Sequence, residues 1–403
     1  IPQTFTITVN PTPQLNDPED QVIFTAESTA AVILTSPLED LEFSWTTNEP
    51  TGNLIGLSQS SGTTNQIPSE TLVNNTSGPL VLTYTITPIL NGVDCEAVIE
   101  EYTVTINPPV TMFAVDDEIV CNGNQVNVDF ESSNSGGSTM FEWTNDTESI
   151  GLSSSGSGDL PGFTAINNGT SPIVATLTVT PTFENGGISN EGSSQTFTIT
   201  VNPTAQVNPI ENQILCNADQ TSDVNFSSLL DSNSGTTTYS WENDTPSIGL
   251  ASSSSGDITS FTGINNSTSP VTATITVTPT YTNEGLSCDG PEETFTITVN
   301  PTAQVEDPQD QIICNAETTS VEFTTENTGG ATTYSWSNDN IAIGLGDLGV
   351  GNIPSFVGVN EGTSSIIANI TVIPTFTDNG VSCTGPAKTF TINVNPTAQV
   401  DQI

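Results

Sequence analysis

The chain has no histidine, no arginine and one lysine, Lys388, against 46 Asp plus Glu, so its formal charge over 403 residues is -45. Each absence removes a class of function. Without basic side chains nothing neutralises a run of phosphates, which excludes DNA or RNA binding and a polybasic membrane patch. Without imidazole there is no histidine base, no His–carboxylate triad and no zinc site of the usual kind. Ion pairs are limited to those of Lys388 and the N-terminus. No signal peptide or membrane-spanning run lies within the sequence. Hydrophobic content, at 33%, is low for a globular chain. Its patterning is nevertheless too regular for disorder, so apolar burial, backbone hydrogen bonds and covalent links must supply the stability.

What is present is one unit, repeated. QTFTITVNP at residues 3–11 returns as EYTVTINP (101–108), QTFTITVNP (195–203), ETFTITVNP (293–301) and KTFTINVNP (388–396). The Asn-Pro pair starts at Asn10, Asn107, Asn202, Asn300 and Asn395, in steps of 97, 95, 98 and 95 residues. Trp45, Trp143, Trp241 and Trp336 form a second landmark, and Ile-Gly-Leu triplets centred on Gly56, Gly151, Gly249 and Gly344 a third. Fixed order at a fixed period marks a repeat architecture. The expected copies span 12–108, 109–203, 204–301 and 302–396. Residues 1–11 then read as the last strand of a preceding copy, and 397–403 as the start of a following one.

Within a copy the apolar residues alternate with threonine, as in Phe5, Ile7 and Val9 or Ala273, Ile275 and Val277, which is the period of a half-buried strand. Turn signals at Asn134–Gly137, Asn167–Gly169, Ser252–Gly256 and Asn283–Gly285 separate the runs. About seven short strands per copy predict an all-β chain of two-sheet, immunoglobulin-like sandwiches. The tryptophans fall on the third strand at one alternating position, which favours the core over a binding site. Pro at each joint restrains the backbone. Four sandwiches in series would then make a linear rod on the order of 160 Å.

Segments such as ILCNADQT, TTYSWENDTPSIGL and GLSCDGPEETFTITVNP resemble the PKD-like, immunoglobulin-like tandem repeats of large secreted surface proteins of Bacteroidetes, including gliding-motility adhesins. The resemblance covers the whole chain, and the first copy departs most. It implies export to the bacterial cell surface and a stalk or filament without catalysis, with neighbouring repeats or other copies in a filament as partners. An array of carbohydrate- or surface-binding modules, or the stalk of a secreted enzyme, is the alternative. Such modules would show exposed aromatics, for which Phe183, Tyr281 and Phe376 at strand ends are the candidates.

The six cysteines fall in two classes. An early position, after the first strand, holds Phe24, Cys121, Cys216 and Cys314; a late position, before the last strand, holds Cys95, Asn190, Cys288 and Cys383. Pairing within copies gives Cys216–Cys288 and Cys314–Cys383. Pairing each late cysteine with the next early one gives Cys95–Cys121 and Cys288–Cys314. Pairing each early cysteine with the late one of the following copy gives Cys121–Cys288 and Cys216–Cys383, both spanning 167 residues, sets Phe24 against Asn190, and sends Cys95 and Cys314 to copies outside the chain. In a sandwich whose first strand runs away from its entry, the early position lies beside the exit, where only the next copy's late position is within the 7 Å or so that a disulfide needs. Geometry therefore favours the third rule, with the first as its rival.

Acidic clusters mark the joints: Asp17, Glu19 and Asp20; Asp116, Asp117 and Glu118; Glu306, Asp307 and Asp310. Calcium is the cation such oxygen-rich groups would take. No loop matches a twelve-residue calcium pattern, and a solvated face is the plainer reading. Asp146, Asp244 and Asp339, with Glu49 in the first copy, are expected to close turns after the tryptophans. Paired carboxylates could serve a glycosidase, but these recur along the chain without a cleft. Sequons at Asn74, Asn75, Asn168, Asn265 and Asn266 read as exposed turns.

Overall fold

The computed structural model describes residues 1–48, 52–90, 97–230 and 232–399. Among them the regular structure is β-strand, apart from three short 3-10 turns. The chain divides into two compact units, Ile1–Asn202 and Pro203–Ile403. The described residues form four separate hydrophobic cores, one per copy, holding Trp45, Trp143, Trp241 and Trp336 respectively.

The second copy shows the plan. Its main sheet runs Glu118–Cys121, Gln195–Asn202, Ile173–Asn185, Ser138–Asn145 and Ser155–Ser157, in that spatial order. The first strand lies parallel to the last, with Cys121 level with Asn202. That pairing carries the early position to the exit end, next to the Asn-Pro joint. Phe197, Ile199 and Val201 of the last strand point into the core and Thr196 and Thr198 away from it, as strand alternation requires. The opposite layer is slight: Gln125–Val126 pairs with Phe163–Thr164. In the third copy it is reduced to two isolated bridges, Gln220↔Thr262 and Val224↔Ile258. The seven-strand expectation therefore holds unevenly, because the Ser-, Asn- and Gly-rich stretches that form this layer have little strand propensity.

The 13-residue strand Ile173–Asn185 outruns its 8-residue neighbour. The overhang turns back at Gly186-Gly187, both at positive φ, into Ile188–Glu191. Glu284-Gly285 and Asn379-Gly380 do the same in the next two copies. Two central residues at positive φ are the type I′ signature of a tight hairpin. Pro181 stands mid-strand, normally a forbidden place. It is tolerated because the neighbour changes there, from Gln195 opposite Val179 to Glu191 opposite Thr182.

The Ile-Gly-Leu landmark closes the short helical turn. Gly151 has φ 95°, and a Cβ there would sit 2.5 Å from the Thr164 carbonyl oxygen; Gly249 and Gly344 repeat this arrangement. The flanking Ile150 and Leu152 are buried. A buried asparagine ties this turn to the tryptophan strand. Asn145 Nδ2 donates to the Leu152 carbonyl at 3.0 Å while its Oδ1 accepts the Thr147 amide, and Asn243 and Asn338 do the same.

Three expectations change. Ser252–Gly256 is not a turn, since Ser253–Ser255 is an edge strand paired with the tryptophan strand. Asn74 and Asn265 are buried, not exposed. Their amides donate to the Ile106 and Val299 carbonyls and hold the preceding loop against the last strand. Asn75, Asn168 and Asn266 are exposed. Phe183, Tyr281 and Phe376 are fully buried under the hairpins, so they offer no aromatic patch.

Candidate functional site: the joints between repeats

In the second and fourth copies the overhanging hairpin faces backwards, toward the copy before it. Within Pro203–Ile403 this brings the third copy's first strand, Gln213–Cys216, against the fourth copy's hairpin strand Val381–Thr384. Cys216 and Cys383 form a disulfide there, with Cα atoms 5.5 Å apart. A second contact lies on the other side of the joint. The Thr328 amide donates to the Thr268 carbonyl at 2.9 Å, and Gly329, at φ 81°, sits so close to the Pro270 ring that a Cβ would be 2.9 Å from it. Asn327 Nδ2 donates to the Thr268 and Thr302 carbonyls while its Oδ1 accepts the Gln304 amide, which fixes the linker.

Within Ile1–Asn202 the first joint repeats the second contact. The Ser135 amide donates to the Ser77 carbonyl at 2.9 Å, and Gly136 sits on Pro79. The first contact differs. Phe24 ends the first strand and is buried, whereas Asn190 is exposed. The first strand, Gln21–Phe24, meets the hairpin strand Ile188–Glu191, and the hairpin's Gly186 lies against Val22. Asn185 Nδ2 donates to Asn107 Oδ1 at 2.8 Å, and Asn107 Nδ2 returns a bond to the Asn185 carbonyl at 3.3 Å.

Of the remaining cysteines, Cys121 and Cys288 are each disulfide-bonded. Cys314 is free and exposed. Cys95 and Glu49 lie outside the described residues.

The joint carboxylates are strand caps. Asp20, Asp117 and Asp310 accept the amides of Thr103, Thr198 and Thr391 at 2.6–2.7 Å, and Asn212 does the same for Thr296. Donation by these amides holds the Asp117 and Asp310 carboxyls below the usual carboxylate range. Burial raises Glu118. Asp307 pairs with Lys388 at 2.6 Å on the surface, and Glu306 accepts the Thr324 hydroxyl. Asp146 and Asp244 accept the amides of Thr176 and Thr274 at 2.8 Å, and both carboxyls are lowered by those bonds. Asp339 bonds both the backbone amide and the side chain of Asn369, with the same lowering. In the first copy Asn48 accepts the Thr83 amide in the same way.

Among the described residues no three His, Cys, Asp or Glu side chains group to hold a metal ion, and no helix is long and apolar enough to cross a membrane. Sequence reasoning missed the buried asparagines and the caps, whose signal was an Asx residue at a fixed offset from the tryptophan and from the first strand.

A PKD-like domain family model matches residues 29–110. No curated protein matches the chain. Among solved structures it is similar to mouse cadherin-23 EC22-24 (13% identity, covering 73% of this chain and all of that one, TM-score 0.32). It is also similar to Drosophila N-cadherin EC1-4 (11%, 94% and 99%, 0.29) and to the human desmocollin-1 ectodomain (10%, 94% and 80%, 0.30). At such scores these likenesses carry no argument; the fold rests on the strands themselves.

Proposed function

We propose that the chain is a structural segment, a stalk or filament, of a secreted bacterial cell-surface adhesin or filament protein of the gliding-associated kind, built of copies at 12–108, 109–203, 204–301 and 302–396. The observation that supports this most is the Cys216–Cys383 bond, which joins consecutive sandwiches covalently. A disulfide of this kind suits an oxidising, extracellular setting. The work of such a segment is spacing and the transmission of tension. Uniform negative charge keeps neighbouring copies soluble and apart. By the same rule Cys121 pairs with Cys288, at the same separation of 167 residues, and Cys314 awaits the late cysteine of a following copy. The partners are neighbouring repeats and other copies of the chain. No observation favours a polysaccharide-binding array.

Non-reducing peptide mapping of the secreted protein tests this. A Cys121–Cys288 peptide beside Cys216–Cys383 is the expected result. A Cys216–Cys288 or Cys288–Cys314 peptide overturns the inter-repeat staple and, with it, the mechanical reading.

A further inference from the structure

In the last three copies the main sheet ends in a short strand beside the tryptophan strand: Ser155–Ser157, Ser253–Ser255 and Leu348–Val350. The middle residue of each lies opposite the tryptophan, so the outer two face away from the core, beside the outward side chains of the long strand. The second and third copies fill this place with hydroxyls, from Ser155, Ser157 and Thr180 and from Ser253, Ser255 and Thr278. The fourth has Leu348, Val350 and Ile373 there, 71%, 84% and 37% exposed. The carboxylate has gone as well. Glu142 and Glu242 flank their tryptophans, whereas Ser335 and Ser337 flank Trp336. Three apolar side chains lining one uncharged groove, in a chain of net charge -45, mark an interaction surface rather than a solvated face.

The Asn338 amide donates to the Asp347 carbonyl and the Gly351 amide to the Tyr334 carbonyl, both at 2.8 Å. Hydrogen-bonded pairs alternate along an antiparallel ladder. The polar backbone groups of Gly349 therefore also turn toward the tryptophan strand, and those of Leu348 and Val350 turn out to the free edge of the sheet. We propose that this edge pairs antiparallel with the same edge of a second chain, about a two-fold axis at Gly349. Leu348 of each chain then lies opposite Val350 of the other, and the outward N–H and C=O groups of both residues satisfy one another. One patch serves both sides, as a two-fold contact requires. The occupant is a second copy because chains of charge -45 repel over most of their surface and can meet only where both lack charge. In this register Asp347 lies opposite Gly351, not opposite its own counterpart. The corresponding edges of the second and third copies, with hydroxyls and a carboxylate, stay in water. The contact is lateral, whereas the disulfide joins copies end to end, and neither depends on the other.

Sedimentation of the full chain at physiological salt tests this. A reversible monomer–dimer equilibrium is expected, weak because the paired strands are short. Leu348→Ser with Val350→Ser recreates the edge that the second and third copies already carry, so the variant folds, and it should weaken the dimer at least about 30-fold. Val350→Pro keeps the apolar surface and removes only an outward amide; it should weaken the dimer at least about 10-fold. A chain that stays monomeric up to about 1 mM overturns the proposal and leaves the edge to a partner of other chemistry. A dimer that either variant leaves unchanged overturns it too. Cross-linking reads the register. In a Cys95→Ser, Cys314→Ser background, a mixture of Leu348→Cys and Val350→Cys chains should form linked dimers at least about 10-fold faster than either chain alone, because only unlike positions lie opposite. Equal rates in the three samples refute the two-fold pairing at Gly349. Peptide mapping of Cys121 and Cys288 is indifferent to these results, so the staple and the edge stand or fall separately.

Discussion

The joint between the first two copies and the joint between the last two share a plan and differ in chemistry. Both seat a turn amide on the preceding copy's carbonyl and press a left-handed glycine onto a proline ring. Where the second joint has Cys216 bonded to Cys383, the first has a buried Phe24 and an exposed Asn190. The polar pair changes in the opposite sense. Asn107 and Asn185 satisfy one another at the first joint. At the second, among the described residues, Asn300 is completely buried with neither side-chain atom partnered, and Asp378, in Asn185's place at the end of the long strand, accepts from its neighbour Asn379. A joint can thus be held by apolar packing with a matched amide pair, or by a covalent bond that tolerates an unmatched amide. The first arrangement depends on shape and the second on redox state.

The largest effect should come from breaking the covalent joint. Cys216→Ser is expected to cost on the order of 4 kcal/mol in the stability of residues 203–396, because the bond closes a very long loop. Denaturant unfolding should show the loss there, while exchange protection in residues 12–108 stays unchanged. Phe24→Ala at the other joint is expected to cost roughly 3 kcal/mol, the usual penalty for deleting a buried ring. That loss should persist unchanged in reducing buffer. If it vanishes on reduction, packing does not hold that joint.

Asp378→Asn sharpens the polar half of the comparison. It offers Asn300 the partner that Asn185 gives Asn107, and should stabilise the fourth copy by about 1 kcal/mol, read as a rise in Tm. The smallest effect is one of pH. Asp310 and Asn212 cap equivalent strands through the same amide bond, but only Asp310 titrates. Its folded value lies below the ordinary 3.8, so its contribution is fully present above that value and disappears as pH falls through the lower, folded one. Between about pH 5 and 2 the Thr391 amide should lose protection relative to Thr296. Asp310→Asn should abolish the difference.

Repeat period, strand alternation and the core position of the tryptophans were legible because period-two burial leaves its trace directly in residue order. The exit-end location of the early cysteine was legible for a related reason: a short first strand ahead of a long return path has few places to pair. The rest required partners that residue order does not display. Ser253–Ser255 has the composition of a turn and is a strand only because it lies along the tryptophan strand. Asn74 and Asn265 look like surface amides until the closing loop surrounds them with carbonyls. Asp20, Asp117 and Asp310 look like cation ligands because the amides they accept from lie about eighty residues away.

The parallel pairing of first and last strands has a mechanical consequence. A pull on the two ends of one copy draws these neighbours along their length in opposite directions. Gln311–Cys314 against Ile392–Asn395, for example, must then slide as a block. Bonds stressed sideways in this way fail together, whereas a hairpin peeled from its open end would release them one at a time. Each copy is thereby built to resist extension in shear, and the shortest strand in its main pairing sets the force at which it yields.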